Sequence, residues 1–429
     1  MSTMHVLLIH QAFVSGQEAG GTRHYELGRH LVEWRHRLTV IASPVSYLTG
    51  RITAESRGRG RRRGQVDGIE IIRAWAYTGR HRSFFARLLS FLSFMVLSFV
   101  EALRVKRVDV VWGTTPPIFQ AVTAYLVARL KHAPFLLEVR DLWPDFAVEV
   151  GVLRNPLLIW ASRRLERFLY RHADRLLVNS PGFIPHLREC DVPEEKIDVI
   201  PNGVDVSMFD PADRGEEVRR ELGLEDTFIA LYAGAHGIAN DLGTILLAAK
   251  RLEQQRDIVF VLVGDGKERS NLIRQAGELR LSNVRFAPAQ PKARMPAFLA
   301  AADVCIAILR AIPMFTTTYP NKVFDYMAAG RATVLAIDGA IRGVVEGAGA
   351  GLFVSPGNPE ALADAVRMYH DRPELRGLHG AKAQAYVGTH FDRAQQARSL
   401  EAMLNSLVPC RGIRPLDVVR SKSCERSEE

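Results

Sequence analysis

The chain has 429 residues, 47% hydrophobic and 24% charged, which excludes a disordered protein and suggests two or three packed domains at roughly 100–200 residues each. Its formal net charge of +9 favours anionic partners: nucleic acid, an anionic membrane surface or phosphate-bearing substrates. The four cysteines, Cys190, Cys305, Cys410 and Cys424, form no Cys-x-x-Cys pair, so a reducing compartment is expected, with neither a disulfide framework nor a structural zinc.

Met1 to Phe13 lacks a basic start and a small-residue cleavage site, so Val6–Ile9 reads as a buried strand rather than part of a signal peptide. A loop ending at Gly20-Gly21, a helical stretch from Thr22 to Trp34 and a strand at Leu38–Ala42 follow, the β–loop–α–β opening of a parallel, doubly wound sheet. The run Arg57-Gly58-Arg59-Gly60-Arg61-Arg62-Arg63 is read either as a solvated loop or as a patch attracted to an anionic membrane. Nucleic acid is disfavoured, because no aromatic-interleaved basic helix, zinc spacing or RNA-binding signature accompanies the run. After a strand at Ile69–Ala74 comes the apolar, serine-dotted segment Phe84–Leu103. Arg87 and Glu101 interrupt it, so it falls short of the ~20 apolar residues of a spanning helix. It is expected to pack on the sheet or to lie in a membrane interface, where the flanking Arg80, Arg82, Arg104, Lys106 and Arg107 would meet headgroups. Strands at Val108–Trp112, Phe135–Val139 and Leu176–Val178 alternate with helices at Phe119–Lys131 and Arg163–Tyr170.

The alternation then restarts. Phe228–Ala233 is a strand leading into Gly234-Ala235-His236-Gly237, Leu242–Gln254 a helix, and Val259–Val263 a strand ending in Gly264-Asp265-Gly266. Strands at Val284–Ala287, Val304–Ile308 and Thr333–Ala336 enclose helices at Arg294–Ala301 and Lys322–Ala329. Two βα series divide the chain into a first domain at 1–205, a second at 206–385, a helical segment at 386–408 that returns to the first domain, and a disordered tail at 409–429. One enlarged sheet is the rival, disfavoured because cores above ~250–300 residues split.

The segment richest in chemistry runs from Tyr319 to Gly330, YPNKVFDYMAAG. Proline before helix formers marks a helix start, whose free N–H groups and partial positive charge can cradle a phosphate. Lys322 adds a point charge there, and Asp325, one turn on, can accept from ribose hydroxyls.

That segment, continued as PNKVFDYMAAGRATVL, resembles the signature of family 4 glycosyltransferases. Gly20-Gly21-Thr22-Arg23, VIPNGVDVSMF, LYAGAHG, VLVGDGK and AADVCIAIL resemble further family segments in the family's order, over roughly residues 5–405. LEVRDLWPD is similar to the subgroup that builds bacterial O-antigen and capsule, N-acetylfucosamine-type transferases included. The resemblance implies an α/β chain of GT-B fold, with two Rossmann-like domains facing each other across a cleft. It implies a retaining transfer from a nucleotide sugar, UDP-linked by subgroup, to a glycan or polyprenyl-diphosphate-linked acceptor in cell-surface polysaccharide synthesis. A cytoplasmic protein, peripheral on the membrane's inner face through 84–103 and 57–63, is the corresponding location.

The family's two signature glutamates fall on Thr317, where the carboxylate is absent, and on Asp325, where it is one methylene shorter. The Arg and Lys that many members place on the diphosphate are missing from the loop at Ala235. Diphosphate charge is therefore assigned to Lys322, Lys267 and Arg269 with backbone N–H groups at Gly21 and Gly237, and donor contact also to Gly20, Gly234, Gly266, Thr317, Asn321 and Asp325. In the first domain Arg140-Asp141 replaces a His-Asp pair of the family. Asp141 would orient or deprotonate the acceptor hydroxyl, while Arg140 would bind an acceptor phosphate or pair with Asp141 or Glu138. Trp143 would stack on a sugar or fill the core. With no Asp-x-Asp metal motif apparent, no metal or other cofactor is expected. The rival functions are a nucleotide-sugar epimerase or hydrolase on the same scaffold and a non-catalytic sugar-nucleotide binder. A dehydrogenase is disfavoured, since neither glycine loop reads G-x-G-x-x-G after a strand.

Overall fold

The computed structural model describes residues 3–45, 63–77, 84–210 and 212–408. The arginines at 57–62, the flank at 80–82 and the tail 409–429, with Cys410 and Cys424, lie outside the described residues.

The first sheet contains β1 (His5–Ile9), β2 (Arg37–Ala42), β3 (Arg63–Val66), β4 (Ile69–Arg73), β5 (Val110–Thr115), β6 (Phe135–Val139), β7 (Arg175–Val178) and β8 (Ile197–Val199). Its order is β3-β4-β2-β1-β5-β6-β7-β8, parallel except for the antiparallel β3–β4 edge. The second sheet contains β9 (Phe228–Ala233), β10 (Ile258–Val263), β11 (Val284–Ala287), β12 (Val304–Ile308), β13 (Ala332–Ala336) and β14 (Gly351–Phe353). Its order is β11-β10-β9-β12-β13-β14, and every pairing is parallel.

Buried parallel strands need both faces covered, which is why β9, β10 and β12 are continuous apolar runs rather than alternating ones. Helices 84–104 and 118–131 cover one face of the first sheet, around Phe94, Ala121 and Phe135. On the other face, Leu27 and Leu31 of the helix Arg23–Glu33 meet Ala397, Leu400 and Leu404. These last residues belong to the helix Arg393–Leu407, which follows the second sheet in sequence but packs in the first core. Residues 386–390 end a preceding helix, Pro373–His390, rather than joining it.

The chain crosses between the sheets twice, side by side: Val204 N–H donates to Phe391 O at 3.0 Å, and Arg393 N–H donates to Val204 O at 2.9 Å. In both sheets the strand order reverses beside the opening strand, at β1/β5 and at β9/β12. Crevices outside the carboxyl ends of strands at such points are where open α/β sheets bind ligands.

Candidate active site

A cavity of about 410 Å³ opens between these two points. The first domain contributes Gly20 and Gly21 after β1, Pro116 after β5, and Arg140 and Asp141 after β6. The second contributes Gly234 and Ala235 after β9, Gly264 and Asp265 after β10, Gln290 and Lys292 after β11, and the start of the helix Asn321–Ala328. Gly21 and Lys322 thus share one crevice.

That helix follows Pro320, which is extended, and no side chain caps it; Val323 N–H turns back to Pro320 O, so the N–H groups of Asn321 and Lys322 are left at the cavity. Lys322 Nζ donates to Tyr232 Oη at 2.8 Å and Asn240 Oδ1 at 3.1 Å, and lies 4.2 Å from the Tyr232 ring centre. All these partners are neutral, and burial pushes the ammonium pKa down to about 7. Asn321 Oδ1 is buried without a hydrogen bond. Gly234, at φ +156°, leaves the ammonium its space: a Cβ there would sit 3.0 Å from Lys322 Nζ.

Asp325 accepts from Lys292 Nζ at 2.5 Å. Burial raises the carboxyl pKa of Asp325, with Lys292 opposing. The main chain around Lys292 closes the cleft, since Ala293 N–H donates to Gly16 O at 3.0 Å.

Across the gap, Glu26 accepts from Thr22 Oγ1 at 2.5 Å and from Arg393 Nε at 2.8 Å. Burial alone would raise its pKa, but Arg393 and Lys292 overcome it and hold Glu26 at about 2. Glu138, fully buried, accepts from Arg23 at 2.8 Å, His24 at 2.7 Å and the Trp112 indole at 3.1 Å. Burial moves Asp141 up to about 6, against the pull of Arg140.

The chain resembles known proteins over most of its length. Residues 19–203 match the Glycosyl transferase 4-like domain and residues 227–371 match Glycosyl transferases group 1. The chain belongs to the glycosyltransferases. This glycosyltransferase is 25% identical over 383 residues to the putative colanic acid biosynthesis glycosyl transferase WcaI of Escherichia coli K12, covering 86% of this chain and 92% of that one. It is 26% identical over 279 residues to the probable glycosyltransferase WbjE of Pseudomonas aeruginosa, covering 61% of this chain and 66% of that one. Among solved structures, the crystal structure of Anabaena HepE in complex with UDP-glucose superposes with a TM-score of 0.70 at 18% identity, covering 94% of this chain and all of that one. The glycosyltransferase therefore has the GT-B fold expected from its signature.

Of the residues singled out in the sequence, the cavity gathers Gly20, Gly21, Arg140, Asp141, Gly234, Asn321, Lys322 and Asp325. Gly237, Gly266, Lys267, Arg269 and Thr317 are not in its lining. The loops after β9 and β10 fold onto each other: His236 N–H donates to Asp265 O, and Glu268 N–H to His236 O. The Gly266 N–H is taken by the Asp265 carboxylate at 2.7 Å, Gly237 leads into the turn Ile238–Asn240, Lys267 is exposed, and Arg269 opens the next helix. Thr317 instead joins the domains, its carbonyl accepting from Ser180 Oγ at 2.5 Å.

Arg140 forms no salt bridge with Asp141 or Glu138 among the described contacts; it donates to His10 Nε2 at 3.2 Å. Trp143 packs against the first core and does not line the cavity. Lys292, Glu26, Arg393 and Asn240 carried no motif, because each acquires its meaning from a partner distant in sequence.

Proposed function

We propose that this glycosyltransferase moves a sugar from a UDP-linked donor, with retention, to a lipid-linked glycan acceptor in cell-surface polysaccharide synthesis. The observation that carries the reading is Lys322: an ammonium with only neutral partners, at an uncapped helix start, facing the Gly20-Gly21 turn across one cavity. Such a place suits a diphosphate, which supplies the missing anion. The structural relative bound to UDP-glucose and the colanic acid relative support the donor and the pathway class.

In the proposed reaction the bond between the anomeric carbon and the diphosphate oxygen breaks. Lys322 and the amides of the helix start stabilise the charge developing on the leaving group. The acceptor oxygen bonds to the anomeric carbon from the same face, and its proton passes to the departing diphosphate. Asp141 orients that hydroxyl, and Arg140 meets phosphate on the acceptor. Asp325 binds the ribose once Lys292 has released it, and Lys292 then joins the cations near the diphosphate. These cations would make a metal unnecessary for the leaving group.

No described helix is long and apolar enough to cross a membrane. The proposed contact with lipid-linked acceptors is peripheral. On three neighbouring helices Leu89, Val96, Leu103, Leu126, Leu130 and Trp160 are exposed, interspersed with exposed Arg104, Arg129, Arg163 and Arg164. An apolar surface with basic borders fits an anionic bilayer.

The test is calorimetry with UDP-, GDP- and dTDP-sugars followed by product analysis with and without lipid-linked acceptor. Selective binding of the UDP compounds and acceptor-dependent donor loss are expected. Donor loss without acceptor would make the protein a hydrolase or epimerase, and binding without any turnover a sugar-nucleotide binder.

A further inference from the structure

A second cluster of ligating atoms lies in the first domain, away from the cavity. Glu166 stands on the helix Pro156–His172, His186 on the helix Ile184–Glu189, and Cys190 caps the end of that second helix. One ligand atom from each lies within 4.8 Å of the other two. His186 Nε2 is 3.1 Å from Glu166 Oε1 and 3.8 Å from Cys190 Sγ. With metal–ligand bonds of ~2.0–2.3 Å, adjacent ligand atoms in a tetrahedral zinc site are roughly 3.3–3.6 Å apart, so both distances from the imidazole lie within a few tenths of an ångström of that geometry.

The surroundings match as well. Zinc-bound imidazoles commonly turn their other nitrogen to a carboxylate, which fixes the ring, and ligating carboxylates are themselves hydrogen-bonded. Tyr170 Oη donates to Glu166 Oε1 at 2.8 Å, and Asp145 Oδ2, whose sister oxygen is held by Arg163, lies 3.9 Å from His186 Nδ1, so the imidazole must close on it to form that hydrogen bond. Glu166 is almost wholly buried, whereas Cys190 is only half-buried. A mixed thiolate, imidazole and carboxylate set suits zinc and not the all-oxygen preference of magnesium or calcium.

We propose that Glu166, His186 and Cys190 bind one zinc(II) ion, with water as fourth ligand and Asp145 positioning the imidazole. None of the four lines the cavity, so the role is structural. The ion ties together two helices and, through Asp145, the short helix Asp145–Glu149 that follows Arg140-Asp141. Glu149 of that helix accepts the Met314 N–H of the second domain at 3.1 Å, so the site stiffens the frame behind the acceptor side of the cleft. The pattern escapes a search for Cys-x-x-Cys because it is His-x-x-x-Cys completed by a carboxylate from another helix.

The untagged full chain, stripped of metal, is titrated with zinc(II) alone and with cobalt(II) alone. One ion per chain is expected, with a thiolate-to-cobalt charge-transfer band and a zinc-dependent rise in Tm. Cys190→Ser should abolish the band and weaken zinc binding at least ~100-fold. Asp145→Asn should weaken it by about 10–100-fold, as losses of such outer partners do. Cys190→His, which keeps a ligand, should retain zinc but lose the band. The Cys410→Ser/Cys424→Ser double variant should keep both. No stoichiometric zinc in the parent chain, or undiminished zinc binding in Cys190→Ser, overturns the proposal.

Discussion

The cation at the helix start and the carboxylates Glu138 and Glu26 across the cleft are held in opposite ways. On the first-domain wall Glu138 is shared by Arg23, His24 and Trp112, and Glu26 by Arg393 and Thr22. On the second-domain wall Lys322 has only neutral partners, Asn321 Oδ1 has none, and the helix start is uncapped. Buried charge is costly unless paired. Around Glu138 and Glu26 the first wall has met that cost internally, while the second, whose Asp325 is paired with Lys292, retains at Lys322 an unmet demand that an anion satisfies. The difference assigns tasks: one wall holds shape, and the other binds the leaving diphosphate.

The largest effect expected is on the paired wall. Arg393 and Glu26 are 1% and 5% exposed, and removing one partner of a buried pair costs about 3–5 kcal/mol. Arg393→Ala should lower unfolding free energy by that order in urea titrations. It should also loosen the C-terminal helix from the first core, because Arg393 donates to Gly203 O and Gln396 as well. A loss below about 1 kcal/mol would remove the contrast between the walls.

The unpaired wall should respond the other way. Lys322→Ala should cut turnover by on the order of a hundredfold or more, corresponding to about 2.7–4 kcal/mol of transition-state stabilisation. Its Tm should hold or rise, because an ammonium held without a carboxylate does not stabilise the ligand-free fold. A lower Tm with unchanged turnover would make Lys322 structural.

Asp141 sharpens the comparison within the first wall, as its cleft-facing carboxyl without a described hydrogen bond to its oxygens. With its pKa raised to about 6, it is ionised above that pH and protonated below. If its ionised form orients the acceptor, kcat/KM should fall towards tenfold per pH unit as pH drops below about 6, a limb that Asp141→Asn should abolish. The smallest effect belongs to surface pairs outside the cleft. Arg294 and Glu221 are 43% and 41% exposed, and Arg294→Ala should change stability by less than about 1 kcal/mol in the same urea titration.

Much of the fold was legible because parallel strands buried on both faces appear as short apolar runs between glycine loops. The bounds of β9 and β12 read from sequence coincide with those in the structure. The short β8 and β14 were missed, being three residues each and only partly buried. The helix 393–407 could be read as a helix, but its Arg393–Glu26 pairing spans 367 positions and leaves no local pattern. In the site, Lys322 and Asp325 were visible because a helix start announces itself in sequence. Lys292 was not, since a lysine in a polar loop gains significance only when folding sets it against Asp325. Lys267 and Arg269 stand near a glycine loop in sequence but are not among the cavity's lining residues, where the loops bearing His236 and Asp265 fold onto each other.

The most direct measurement is UDP binding by calorimetry at pH 8 in two buffers of different ionisation enthalpy. Burial leaves Lys322 with a pKa of about 7, so it is mainly neutral at that pH. A diphosphate at its tip favours the charged form, and binding must draw a proton from solution. Uptake approaching one proton per UDP, absent in Lys322→Met together with much of the affinity, is the predicted result. Equal affinity and equal proton uptake in the two proteins would contradict the account.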